Sequence, residues 1–289
     1  MKNLLVPTDF SPESHHAFGV ALQLAQRTGG SVTLLHVVEV PEAVSFSTFG
    51  GPVGSGDVTT GGSGMDDVFM VKLLQATKQR MLRLQAEAVR LAPGVPVLDT
   101  LQTGSTGPAI LQTIQDRNID LVVIGAQGHS ALEHFFYGSN TERLVRLAPC
   151  PVLAVKHPVE SLDVKRIVFP SDFTVDADAA IPGLRRVQEL FPEAELHLLQ
   201  VVGSESEFAT TEEKIMAFAK CYGLRNVVPA VVRSSSPSRG IPAFVQQIEA
   251  DLVVVPTHGR TGLSRYLQSS IAEHVATHVF PPVLTFKFE

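Results

Sequence analysis

Three glycines, a serine and an asparagine carry the clearest chemistry in this chain. They stand as Gly125-x2-Gly128-x9-Gly138-Ser139-Asn140, directly after the apolar run Leu121–Ile124. Ser139-Asn140-Thr141-Glu142 has the Ser-x-x-Glu form of a capping box, which predicts that a helix starts there. Strand, glycine-rich loop and helix N-terminus are the parts that hold a phosphate group. Glycines let the backbone approach closely, and the first free N–H groups of the helix point at the anion. His129 and Ser130 follow Gly128 and stand where side-chain donors could reach the same anion. Glycines in strand–helix loops are also common as plain turns, so the surrounding elements decide between the two readings.

Those elements alternate strand and helix. Leu4–Pro7 reads as a short buried strand, and Thr8-Asp9-Phe10-Ser11 is the turn after it. Ser11-Pro12-Glu13 is a helix start, with a capping hydroxyl, a proline at the first helical position and a carboxylate at the positive dipole end. Ala17, Val20, Ala21, Leu24 and Ala25 recur at helical spacing up to Gly29-Gly30. Ser31–Val38 is a second strand, Val95–Leu101 a third and Asp120–Ile124 a fourth. Helices are expected over 66–91, with Leu73, Leu74, Met81, Leu84, Ala88 and Leu91 on one side, and over 109–116. A further helix runs from the capping box to Leu147, before a last strand, Val152–Val155. Ser45–Gly64 is dominated by Gly, Ser, Thr and Pro and reads as a loop or insertion with little to bury. This βαβ order predicts a parallel sheet with right-handed crossovers and a ligand at the carboxyl ends of its strands.

The pattern then starts again. Lys165–Thr174 repeats Lys2–Ser11, including Pro-Ser-Asp-Phe-Thr for Pro-Thr-Asp-Phe-Ser, and Leu198–Val202 matches Leu34–Val38. From the fourth strand onward the offset is a constant 131 residues: Asp251–Val255 falls on Asp120–Ile124, and Ser270-Ile271-Ala272-Glu273 on the capping box. This is an internal duplication, with units at 1–158 and 162–289. The copies differ at the glycine motif, where Pro256 replaces Gly125 and Ser269 replaces Gly138. Proline has no N–H and fixes its φ, so Pro256 is expected to stiffen the first hinge of the second loop.

Taken together, Pro-Thr-Asp-Phe-Ser, the glycine motif and Ala148-Pro-Cys-Pro-Val-Leu153, each with its second copy, resemble the universal stress protein family in its tandem form. The resemblance implies an α/β fold of two tandem doubly wound domains, each a five-stranded parallel sheet flanked by helices. It also implies an adenine nucleotide, ATP with Mg²⁺ in attendance, in the N-terminal half. By residue, Asp9 would lie near adenine or ribose with Pro7 and Thr8 lining the cleft. Val37 or Val38 would contact adenine, and Gly125, Gly128, Gly138, Ser139 and Asn140 would wrap ribose and phosphates, with His129 and Ser130 as further donors. The last strands of the two units would meet within one chain as a pseudo-dimer, and the resemblance leaves room for two chains to pair further into a homodimer.

The remaining chain narrows the function. A net charge of -6 without a basic run disfavours nucleic acid and anionic membranes as partners. No apolar run is long enough to span a bilayer. The start of the chain shows no signal-peptide pattern, and Cys150 and Cys221 lack metal-site spacing, which together suggest a reduced, cytoplasmic compartment. His274 and His278, four apart, read as helix-surface residues, as do His15 and His16. There is no nucleophile elbow and no Walker lysine, so chemistry beyond slow ATP hydrolysis is not expected, although Asp9 and Glu133 could align Mg²⁺ or a water. An ATP-dependent enzyme and an interaction scaffold with a vestigial site are the competing readings.

Overall fold

The computed structural model of the chain describes residues 1–39, 63–126, 144, 147–173, 180–258 and 279–288, with side chains in the second of these ranges from 70 onward, in the fifth up to 256 and in the last up to 286. The first half contributes β1 (Asn3–Pro7), α1 (Pro12–Thr28), β2 (Ser31–Val38), α2 (Ser63–Leu91), β3 (Val97–Thr103), α3 (Thr106–Asp116), β4 (Leu121–Gly125) and β5 (Val152–Val155). The second contributes β6 (Arg166–Pro170), α4 (Ile181–Leu190), β7 (Glu195–Val202), α5 (Phe208–Cys221), β8 (Val227–Arg233), α6 (Pro237–Gln247), β9 (Leu252–His258) and β10 (Val283–Phe288). The Ser45–Gly64 loop reading lies outside the described residues except at Ser63 and Gly64, which already belong to α2.

The ten strands among the described residues form one sheet in the order β3-β2-β1-β4-β5-β10-β9-β6-β7-β8. Each half is a parallel set with the same internal order. The two sets join antiparallel through β5 and β10, with Val283 opposite Ala154, Leu284 opposite Leu153 and Thr285 opposite Val152. Two apolar strands that would each be an open edge thereby close one another's hydrogen-bonding rows. The Thr285 hydroxyl adds a bond to the Val152 carbonyl at 3.2 Å.

Alternation along each strand sends side chains to both faces. Leu4, Val6, Leu121 and Val123 pack under α1, whereas Leu5, Val122 and Ile124 pack under α3 with Ile110 and Ile114. The core on the α1 face is continuous across the two halves, running through Leu153, Leu162, Leu284 and Phe286 to Leu184 and Val187 of α4. Polar clasps reinforce that joint. Arg27 donates to the carbonyls of Leu190 at 3.1 Å and Leu162 at 3.2 Å, with its guanidinium 5.1 Å from the Phe191 ring centre. Gln23 accepts from the Leu162 amide at 2.6 Å and donates to the Val159 carbonyl at 3.1 Å.

Local signals explain why α1 sits where it does. The Ser11 hydroxyl accepts from the Ser14 amide, Pro12 opens the helix, and Gly29 closes it in the left-handed region at φ 63°. All five apolar positions expected on its inner side, from Ala17 to Ala25, are buried. The α2 stripe needs one correction. Met81 and Ala88 are buried, but Leu91 is 56% exposed and Ala92 takes its place, because eleven residues at 100° each return to the starting face and ten do not. His16, expected at the surface, is half-buried instead, while His15 is exposed beside Glu87 at 3.3 Å.

The duplication has physical counterparts. In both halves the aspartate before the fourth strand clips the start of the first: Asp120 Oδ2 accepts from the amides of Lys2 and Asn3, and Asp251 Oδ2 from those of Lys165 and Arg166. In both halves, too, the turn after the first strand holds a phenylalanine at positive φ, 64° for Phe10 and 51° for Phe173. That conformation costs a side chain roughly 1–2 kcal/mol. It is held by a bond from the phenylalanine amide to the hydroxyl two residues earlier, Thr8 or Ser171, each at 3.0 Å.

Candidate functional site

The sheet opens between β1 and β4. These strands pair only at Leu4–Leu121 and Leu5–Val122, and beyond that their carboxyl ends diverge. β1 runs on to Pro7 beside β2, while β4 runs on to Gly125 beside β5. The chain reverses its direction of winding at this point, which is where open α/β sheets bind ligands. A cleft of about 560 Å³ lies there. That is ample for a nucleotide-sized ligand, since such pockets run from roughly 300 to 1,000 Å³.

Six of the residues anticipated for the site, Pro7, Thr8, Asp9, Val37, Val38 and Gly125, line this one cleft. Gly128, His129, Ser130, Gly138, Ser139 and Asn140 lie outside the described residues, as do Glu133, His274 and His278. The cleft also takes in residues for which the sequence offered no ligand signal. Leu73 reaches it from α2, Thr106 and Ile110 from α3, and Glu39 follows β2. Sequence spacing cannot reveal these, because each arrives by packing of a separate element.

The polar end is built on the turn after β1. The Thr8 amide donates to the Leu35 carbonyl at 2.8 Å, tying the turn to β2. Thr8 Oγ1 lies 3.0 Å from Ser14 Oγ, and the Ser14 hydroxyl also reaches the Ser11 carbonyl at 3.0 Å. Asp9 Oδ1 accepts from the Ser11 amide at 2.9 Å. Burial pushes the Asp9 carboxyl up, but the Ser11 hydroxyl and amide and the Ser14 hydroxyl outweigh it and hold it below the ordinary aspartate range. Asp9 is therefore a fixed, ionised acceptor at neutral pH, suited to ligand hydroxyls.

His36 supports the same turn. Its Nδ1 is 2.7 Å from the Thr8 carbonyl, so in the neutral ring Nδ1 carries the proton and Nε2 is the acceptor. Its ring lies 4.6 Å from that of Phe10, and the Arg80 guanidinium lies 5.4 Å from the Phe10 ring centre. Val37, Val38, Ile110 and Leu73 give the β2 side of the cleft its apolar lining.

Gly125 serves close approach rather than unusual φ. It ends β4 in register with Val155, and it is absent from the positions with positive φ. A Cβ there would sit 2.4 Å from the Glu13 carbonyl carbon and 2.5 Å from the Ser14 nitrogen. This corrects the expectation for Pro256, which is no loop hinge. β9 continues through Pro256 to His258, with Pro256 opposite Phe286. Its missing N–H is tolerated because β6 pairs with β9 only at Ile167–Leu252 and Val168–Val253, before Pro256 is reached. Further differences separate the second half: Gln200 stands for His36, and the Lys214 ammonium donates to the Asp172 carbonyl at 2.6 Å.

Among the described residues no group of three or more His, Cys, Asp and Glu side chains is arranged to hold a metal ion. Among them, too, no helix is long and apolar enough to cross a membrane.

The profile of the universal stress protein family matches residues 1–156 and again 163–287, which together cover nearly the whole chain. The chain belongs to the universal stress protein family. It carries the family unit twice in tandem. A universal stress protein of the cyanobacterium Synechocystis is 23% identical over 298 aligned positions, covering 99% of this chain and all of that protein. A universal stress protein of Thermus aquaticus is 32% identical over 157 positions, 54% of this chain and 98% of the relative. The crystal structure of a universal stress protein from Archaeoglobus fulgidus superposes with a TM-score of 0.71 at 20% identity, covering 99% of this chain and 98% of the other. That likeness concerns the fold, including the joining of two units in one chain length.

Proposed function

We propose that the N-terminal half binds ATP or a closely related adenine nucleotide, and that the protein acts through the bound state in stress response or signalling in the cytoplasm. The observation that carries this reading is the opening between β1 and β4, which gathers Asp9, the Thr8 turn, Val37, Val38 and Gly125 around one cleft. An adenine base calls for an apolar slot with backbone partners, a ribose for a carboxylate, and phosphates for free amides. The described cleft supplies the first two. On this reading the phosphates extend toward Gly128, His129 and Ser130 and are wrapped by Gly138, Ser139 and Asn140. Mg²⁺, where it accompanies the phosphates, would take its ligands chiefly from the phosphates and water, with the Asp9 carboxylate in the same cleft.

The same reading makes the protein asymmetric. Gly125 admits the Glu13–Ser14 backbone at contact distance, and Pro256 in the second copy carries a Cβ and ring where that approach would occur. The C-terminal half then serves mainly as the partner that covers β5.

Native mass spectrometry of the freshly purified intact chain tests the proposal, followed by calorimetric titration with ATP. One adenine nucleotide per chain is the expected result. Two equal sites would overturn the asymmetry, and no adenine nucleotide binding at all would overturn the proposal.

A further inference from the structure

Among the described residues Glu39 is the one carboxylate on the β2 side of the cleft, and its position is built rather than incidental. The amide of Gly104 donates to the Val38 carbonyl at 3.0 Å, which ties the end of β2 to the turn before α3. That tie brings Thr106, at the start of α3, beside Glu39. The Thr106 hydroxyl donates to Glu39 Oε1 at 2.7 Å. Thr106 is the one hydrogen-bond partner of Glu39 among the described residues, so Oε2 keeps its accepting capacity for a ligand. Leu73, Ile110 and Val38 line the same cleft and provide apolar surface for a flat base.

We propose that Glu39, oriented by Thr106, reads the exocyclic amino group of the adenine base. The inference rests on the adenine-nucleotide reading above and adds a specificity-determining residue to it. An ionised carboxylate only accepts hydrogen bonds, so it favours a base edge that presents an N–H donor and gains nothing from a base without one. Asp9, one strand away at the end of β1, is taken up by the Ser11 amide on Oδ1 and faces the polar end of the cleft, where the sugar belongs. Two carboxylates, each just past the end of a different strand, thus divide the ligand, one for the sugar and one for the base.

The test is a calorimetric comparison of ATP with purine riboside triphosphate, which lacks only the amino group, on the intact chain. Wild-type protein is expected to bind ATP roughly tenfold more tightly than the deamino analogue. Glu39→Met should bring ATP down to the analogue's affinity while leaving the analogue unchanged. Glu39 is exposed, so this variant should fold; Thr106→Val, which releases the carboxylate, should shrink the difference in the same direction. A preference for ATP that survives both substitutions overturns the assignment alone. So does an equal loss for both ligands in Glu39→Met, which would place the carboxylate on the sugar. No binding of either nucleotide by the wild type overturns it together with the adenine reading.

Discussion

Gly125 and Glu13 meet backbone to backbone: a Cβ built on Gly125 would lie 2.4 Å from the Glu13 carbonyl carbon. The contact locks the end of β4 against the first turn of α1. It also fixes Ser14, whose hydroxyl holds the Thr8 turn at 3.0 Å. The floor of the cleft and the packing of the first helix are therefore one structural decision. Gly125→Ala is expected to destabilise the chain by about 1–3 kcal/mol, the usual cost of overpacking, since backbone and not a flexible side chain must yield. Urea unfolding monitored by circular dichroism would check this, and an unchanged midpoint would count against the close contact.

Asp9 gives a pH signature with a definite sign. Its folded-state carboxyl is held below the ordinary range, so the stabilisation is fully present above the unfolded value, about 3.9, and fades as pH falls through the lower folded value. Because Asp9 is largely exposed, screening keeps this contribution below about 1 kcal/mol. Asp9→Ala should thus barely alter unfolding at pH 7, yet weaken ATP binding at least roughly tenfold. Titration calorimetry alongside unfolding separates the two effects.

Lys156 titrates in the opposite region. It is buried at the joint of the two halves and donates to the Val279 carbonyl at 2.9 Å. Desolvation lowers it to about 8. The folded state then disfavours its charged form, so stability should rise as pH climbs from about 8 toward the ordinary lysine value near 10.4. The gain should be on the order of 2–3 kcal/mol across that window. Lys156→Met should remove this rise, and denaturant midpoints at pH 7 and pH 10 for both proteins would show whether it does.

The two thiols should behave differently toward a thiol reagent. Burial, with the Asp120 carboxylate adding to it, pushes Cys150 up to about 12, which leaves essentially no thiolate at neutral pH. Cys221, at the end of α5, is exposed. One thiol per native chain should react promptly with a colorimetric disulfide reagent, and the second only after unfolding. Two prompt equivalents would contradict the packing around Cys150.

Beside these energetics, the extent to which the chain announced its own structure varies by element. Ser11, Pro12 and Gly29 declared α1 to the residue because caps act within a few positions of themselves. The start of α2 is less legible, and the helical spacing puts Leu91 on the wrong side, because near a helix end one residue of phase decides which side chain is buried. By analogy with a glycine loop Pro256 reads as a hinge, whereas its strand continues because β10 pairs alongside it.

The sequence by itself determined the duplication, the strand and helix order, the family and the residues of the turn that carries Asp9. These are local or repetitive properties, and a repeat can be found without knowing where anything lies in space. Only the tertiary structure decided the antiparallel register in which β5 and β10 join, that Gly125 is small because of Glu13, and that Glu39 and Thr106 share the cleft with Asp9. Those relationships join elements far apart along the chain through packing. No spacing records them, because the helices that bring them together are placed by the apolar faces they bury.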